Sequence, residues 1–201
     1  MNTPNHPSLF ISTPAAARLT GKTPRTITNW LETGTAKGTL LQANNLPQGQ
    51  SWKVDLLSIA EHIPMQITDE ILDSIRKSED GDAKETTRVG LFLYMAGAKN
   101  LAVNWFEAAA KKGDVEAMEW LWDSYYYGRG VEINLPVAFQ WLGKAAEYGS
   151  LTCTTLLNNI HKINEMLEAR DKDAKQAISN DIKELINRSE SAQRKSNEAG
   201  V

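Results

Sequence analysis

Arg25 and Asn29 lie in the stretch TPRTITNW, residues 23–30. They are the two side chains best shaped to bond guanine and adenine edges through paired hydrogen bonds. Thr26 and Thr28 stand beside them, with hydroxyls that bond phosphate and methyls that touch the thymine methyl. On a helix, Ile27, Trp30 and Leu31 share one face, while Arg25, Thr26, Thr28 and Asn29 point elsewhere. The apolar set packs and the polar set is left to read a surface. An ordinary helical hairpin also turns a polar face to water, so the flanking caps and turns must weigh with the face itself.

Catalytic chemistry has no comparable footing. His6, His62 and His161 fall in separate segments, and Cys153 is the single cysteine. No nucleophile-base pair is visible, nor a zinc spacing, a phosphate-binding glycine loop or a dinucleotide fingerprint. We expect no enzyme and no cofactor or metal. One cysteine also excludes an internal disulfide.

The elements that must position Arg25 and Asn29 are marked by two Thr-Pro pairs. Threonine caps a helix by accepting a free backbone N–H, and proline fits the next position because its missing donor is unpaired there anyway. The first helix is predicted from Pro14 to about Thr20, ending at Gly21, and the second from Pro24 to Gly34. Two short helices joined through a glycine turn form a helix-turn-helix. Thr39–Leu41 and Ser51–Val54 read as a β-hairpin around the polar loop QANNLPQGQ. Asp55 is then placed to cap a third helix, Leu56 to about His62, ending before Pro64.

Charge favours the same end of the chain. Residues 1–65 carry five Lys/Arg (Arg18, Lys22, Arg25, Lys37, Lys53) against three acids, a balance of +2. Residues 66–150 carry nine against fourteen, −5. A polyanion should therefore meet the N-terminal part.

The run ISTPAAARLTGKTPRTITNWLETG…SWKVDLLSI resembles the winged helix-turn-helix of excisionase and MerR-like DNA-binding domains, over about residues 9–63. That resemblance implies the second helix in the major groove, through Lys22, Thr23, Arg25, Thr26, Thr28 and Asn29. It implies a wing over residues 42–50, through Asn44, Asn45 and Gln48, with Lys37 and Lys53 beside it. If about three of the five cations reach phosphate, the log-log salt slope of binding is about −3 for one copy and about double for a dimer.

A second pattern follows. Residues 102–121 superpose on 138–157 at an offset of 36: Ala102 on Ala138, Trp105 on Trp141, Phe106 on Leu142, Ala109-Ala110 on Ala145-Ala146, Gly113 on Gly149, Leu121 on Leu157. A fixed period in this range marks stacked helix pairs. Between the two copies lies Tyr125-x-x-Gly128-x-Gly130-Val131. These residues resemble the Sel-one-like repeat, a relative of the tetratricopeptide repeat. Leu91-x-x-Tyr94-x-x-Gly97 suggests an earlier half unit, extending the resemblance over about 84–157. Ile67–Ile75 and Leu156–Leu167 are the expected end caps. Trp105, Tyr125 and Trp141 are expected in the core. Trp120 and Trp122 stand about 200° apart around one helix, so one must face outward. With Tyr126 and Arg129 they are the candidate protein-interaction residues.

From Thr154 to about Asn187 apolar residues recur at helical spacing in a narrow stripe, fitting either a self-pairing helix or a cap followed by an exposed helix. Beyond Ser189 the chain is polar. The longest apolar stretch, Val89 to Ala98, is too short to span a bilayer, and MNTPNHPSLF is not a signal peptide, so a cytoplasmic protein is expected.

The fold expected is mostly α. A winged helix-turn-helix with a two-stranded hairpin (1–65) precedes an α/α repeat domain (66–160) and a C-terminal helix and tail (161–201). The expected function is sequence-specific binding of double-stranded DNA, with the repeats for a protein partner or homodimer, in transcription regulation or as an accessory to recombination or plasmid conjugative transfer. The alternative is an adaptor that works through the repeats and binds no DNA.

Overall fold

The structure is a computed structural model, described over residues 8–42 and 50–162 and at scattered positions from 165 to 184. The chain divides into two compact units, residues 1–154 and 155–201.

In the first unit, β1 (Phe10–Ser12) leads into α1 (Thr13–Thr20), and α2 (Pro24–Glu32) follows after a turn at Gly21. The cap of α1 lies one residue before the expected Thr13. The Ser12 hydroxyl accepts the Ala15 N–H, and Thr13 is already helical. Thr23 caps α2 as expected, accepting the Thr26 N–H. Then come β2 (Gly38–Gln42) and β3 (Gln50–Asp55), antiparallel, with Leu40 opposite Trp52. A third strand, absent from the sequence expectation, completes the sheet: β1 pairs antiparallel with the other edge of β3, Ile11 facing Val54. Three residues are too few for a periodic signal, and β1 exists because β3 gives it a partner. Asp55 caps the next segment as expected, but Leu56–His62 winds as a 3-10 helix. Seven residues stopped by Pro64 leave little length for α-helical bonding. Ile11, Leu19, Ile27, Val54, Leu56 and Ile59 are fully buried and form the core here.

The remainder of the unit is helical: α3 (Asp69–Glu79), α4 (Ala83–Met95), α5 (Lys99–Ala110), α6 (Val115–Tyr127) and α7 (Leu135–Glu147), with helical residues again from 151. One turn recurs four times, at Gly81, Gly97, Gly113 and Gly149, all with positive φ. At each, the glycine N–H donates to the carbonyl three residues back and the following N–H to the carbonyl five back. Three of the following residues, Asp82, Asp114 and Ser150, also cap the next helix with a side-chain oxygen. Only glycine adopts this left-handed conformation without strain. Thus α3–α4 is a helical hairpin with the same turn as α5–α6, where the sequence reading had an end cap and a half unit.

The offset of 36 holds in three dimensions. Ala102 and Ala138, Phe106 and Leu142, Ala109 and Ala145 are buried pair by pair, and buried Cys153 occupies the place of Ala117. Gly90 allows α4 to approach α5, for a β-carbon there would fall 2.6 Å from the Phe106 ring.

One carboxylate joins the sheet to these helices. Glu79, the last residue of α3, accepts the Ser12 N–H at 2.6 Å through one oxygen and the Ser12 hydroxyl at 2.7 Å through the other. Lys53 on β3 reaches it at 3.2 Å. α1 also packs on α5, where the Arg18 guanidinium lies 5.0 Å from the centroid of the fully buried Trp105 ring.

In the second unit the described residues are helical and none is fully buried. The apolar positions 163, 167, 174, 178, 182 and 185 of the expected stripe, and the tail, lie outside the described residues.

Hydrogen bonds to a charged group contribute about 1.5–3 kcal/mol each, and removing Glu79 leaves the Ser12 N–H without its acceptor. Glu79→Ala should therefore cost about 3 kcal/mol and lower Tm by roughly 6–12 °C. Thermal unfolding followed by circular dichroism checks this, and an unchanged Tm would show that the carboxylate does not hold the junction.

Candidate functional surfaces

The buried side of α2 is Ile27 and Leu31, with Trp30 half-buried against the His62 ring at 4.4 Å between centroids. On the other side Arg25 and Asn29 are exposed. Neither side chain has an ion pair or hydrogen bond among the described residues. Thr28 is half-buried and donates its hydroxyl to the Pro24 carbonyl at 3.1 Å, while Thr23 and Thr26 share a hydroxyl contact of 2.9 Å. These threonines are ordered by their own helix, and Arg25 and Asn29 remain the side chains with bonding capacity to spare. Lys22, just before α2, and Lys37, just before β2, are exposed as well.

The five cations of the N-terminal part do not stand together. Lys53 is held by Glu79. Arg18 is half-buried against Trp105, and its Nε is buried without a partner. Burial pulls the Arg18 pKa below its ordinary value, and the Glu79 charge raises it in part. Lys22, Arg25 and Lys37 are left for a ligand. The wing residues Asn44, Asn45 and Gln48 lie outside the described residues.

On the repeats, the question of Trp120 and Trp122 is decided by their neighbours. Both are half-buried; Trp120 stacks on Phe106 at 5.7 Å and meets Tyr94 at 5.1 Å. Trp122 lies with Tyr126 and Tyr127, at 5.7 and 6.4 Å, and its Nε1 is buried without a partner. Tyr126 and Tyr127 are exposed and contact each other at 4.8 Å, and Phe139 on α7 meets Tyr126 at 6.4 Å. Ile133 and Leu135, in and after the α6–α7 loop, add exposed apolar area at 65% and 45%. Arg129 makes a two-pronged bond to Asp123 at 2.7 and 2.8 Å and covers the Tyr127 ring at 4.8 Å, so it braces this face. Tyr125 and Trp141, expected in the core, are half-buried. The Tyr125 hydroxyl donates to Glu107 at 3.2 Å, and Lys144 lies over the Trp141 ring. Burial pushes the Tyr125 hydroxyl pKa up, with Glu107 adding to it.

Ile133, Leu135 and Phe139 escaped the sequence reading. Each looks like an ordinary apolar core residue, yet each is exposed. Among the described residues no group of three or more His, Cys, Asp or Glu is placed to hold a metal ion, and no helix is long and apolar enough to cross a membrane.

No protein-family model matches this chain, and no curated protein matches it. Two solved structures are similar to part of it. One is a Sel1 repeat protein from Oxalobacter formigenes, 30% identical, over 45% of this chain and 38% of that one, with a TM-score of 0.41. The other is c5321, a protective antigen present in uropathogenic Escherichia coli strains and displaying an SLR fold, 24% identical, over 54% of this chain and 24% of that one, also with a TM-score of 0.41. The matched region therefore spans well under half the length of either protein.

Exposed side chains without partners contribute little to folding. Arg25→Ala and Asn29→Ala should each change unfolding free energy by less than about 0.5 kcal/mol, whereas Trp105→Ala should cost about 3–5 kcal/mol through the cavity it leaves. Denaturant unfolding separates the two cases, and a loss above about 1 kcal/mol in Arg25→Ala would reveal a partner for Arg25 inside the molecule.

Proposed function

We propose that this chain is a non-catalytic interaction protein with two working surfaces, in which the repeats bind protein and α2 binds double-stranded DNA. The protein-binding part is supported by the aromatic face of α6 and α7, where Trp122, Tyr126, Tyr127 and Phe139 cluster beside exposed Ile133 and Leu135. Exposed apolar patches of this kind mark association surfaces. The occupant that the charges favour is a second copy of this chain. Lys22, Arg25 and Lys37 supply about three phosphate contacts, too few for tight specific binding by one copy, and pairing doubles them.

The DNA-binding part is carried by one observation: α2 buries Ile27 and Leu31 while Arg25 and Asn29 stand exposed and, among the described residues, unpartnered. That is the arrangement direct readout in the major groove needs. Such a protein serves as a transcription regulator, or as an accessory factor in recombination or conjugative transfer. A regulator changes promoter output alone, and an accessory factor acts only with its enzyme present.

The second reading is an adaptor that uses its repeats alone and binds no DNA. It is favoured by the fate of Arg18 and Lys53, which are turned to internal contacts and leave a modest cationic surface.

Gel-shift titration decides between them. The DNA reading expects Arg25→Ala with Asn29→Ala to weaken binding to a sequence selected from a random pool more than binding to random DNA; the adaptor reading expects no selective shift in the wild type. For self-association, light scattering on the full chain should show a concentration-dependent dimer that Phe139→Glu with Tyr127→Glu converts to monomer. A wild type that stays monomeric at every concentration would remove the second copy as occupant.

A further inference from the structure

The helical repeats as a whole are acidic, yet one edge of them is basic where they adjoin the helix-turn-helix. Two clefts lie along the junction of α1, the start of α2, and α5. One, of about 390 Å³, is lined by residues including Arg18, Lys22, Pro24, Asn100 and Asn104. Its neighbour, of about 500 Å³, shares Arg18 and Asn104 and adds Thr86, Lys111 and Lys112. Three exposed cations, Lys22, Lys111 and Lys112, thus border one continuous stretch of surface, with half-buried Arg18 between them. The one carboxylate on its walls, Glu107, accepts the Tyr125 hydroxyl. Lys111 is exposed and unpaired among the described residues, and Lys112 reaches only the Thr86 hydroxyl, at 3.4 Å. Asn100 and Asn104 bring amide donors.

The position of this surface is what gives it meaning. A helix with its side chains is about 10–12 Å across, and the major groove is about 12 Å wide, so an inserted helix fills the groove and its flanks meet the phosphate walls. Arg25 stands at the second position of α2, so the N-terminal end of α2 is the end that approaches the DNA. The surface beside that end is the cleft of Arg18, Lys22, Asn100 and Asn104, continuing to Lys111 and Lys112.

Resting on the DNA reading of α2, we infer that the repeats are part of the DNA interface: α5 and the turn that closes it carry Asn100, Asn104, Lys111 and Lys112 to the phosphate strand that borders α2. The ligand chemistry is phosphate, and its source is the backbone of double-stranded DNA. These contacts are blind to sequence, because every nucleotide presents the same phosphate. The helix-turn-helix specifies and α5 with its closing turn anchors. Two separate segments of chain make one footprint, and the clamp at Glu79 fixes their spacing.

The experiment uses the full chain, with fluorescence anisotropy on two labelled duplexes, one selected from a random pool and one of random sequence, across a salt titration. Lys111→Gln with Lys112→Gln should weaken binding to both duplexes by the same factor and reduce the salt slope by about 1–2. Arg25→Ala with Asn29→Ala should reduce the preference for the selected duplex. If the lysine variant keeps the wild-type slope while the α2 variant loses its preference, the α5 contact is refuted and the reader stands. If the wild type binds neither duplex at low salt, the DNA reading falls and the α5 contact falls with it. Calorimetric titration with inorganic phosphate separates the remaining source: binding lost in the lysine variant, with duplex binding unaltered, would assign the cleft to a small phosphate ligand and overturn the inference. Matching thermal melts of wild type and variant confirm that the fold is intact.

Discussion

The carboxylate of Glu79 is the constraint on which the arrangement of the molecule depends. It stands at the end of α3, mostly buried, and collects the backbone N–H and hydroxyl of Ser12 and the ammonium of Lys53. Ser12 is at once the end of β1 and the cap of α1, so the carboxylate holds a strand, a helix start and the central strand of the sheet together. A charge this far from water is stable only when its oxygens are satisfied, and both are. The helical hairpin that presents α2 therefore has one orientation on the repeats.

The same contact redistributes charge. Lys53 is drawn to Glu79, and Arg18 lies over Trp105 within reach of the Glu79 field. In this segment Lys22, Arg25 and Lys37 are left outward, and further exposed cations, Lys111 and Lys112, stand just after α5. The electrostatic footprint thus follows the tertiary arrangement, which the order of residues along the chain does not reveal.

In the repeats, one physical solution is used again and again. At Gly81, Gly97, Gly113 and Gly149 a glycine with positive φ closes the helix and two backbone bonds satisfy the last carbonyls, and at three of the four the following Asp or Ser caps the next helix. Each helix pair buries its small residues against the next, which is why Ala102, Ala109, Ala138 and Ala145 disappear from the surface. Large side chains on α6, α7 and the loop between them stay outside this packing: Tyr127, Ile133, Leu135 and Phe139 are exposed.

What the sequence determined was local. Thr23-Pro24 starts α2, the glycines close the helices, the hairpin strands stand where Thr39–Leu41 and Ser51–Val54 placed them, and an offset of 36 equates the buried pairs Ala102 and Ala138, Phe106 and Leu142, Ala109 and Ala145. These signals lie within a few residues, because caps, turns and helical faces are set by neighbours along the chain. What only the tertiary structure decided was long-range. β1 exists through β3, Trp120 packed on Phe106 while Trp122 joined Tyr126 and Tyr127, Arg18 and Lys53 left the set of available cations, and α3–α4 formed a full helical hairpin. Glu79 finds Lys53 across 26 residues and Ser12 across 67. A side chain's charge is written in the sequence, but its partner is chosen by what folding brings within about 3 Å.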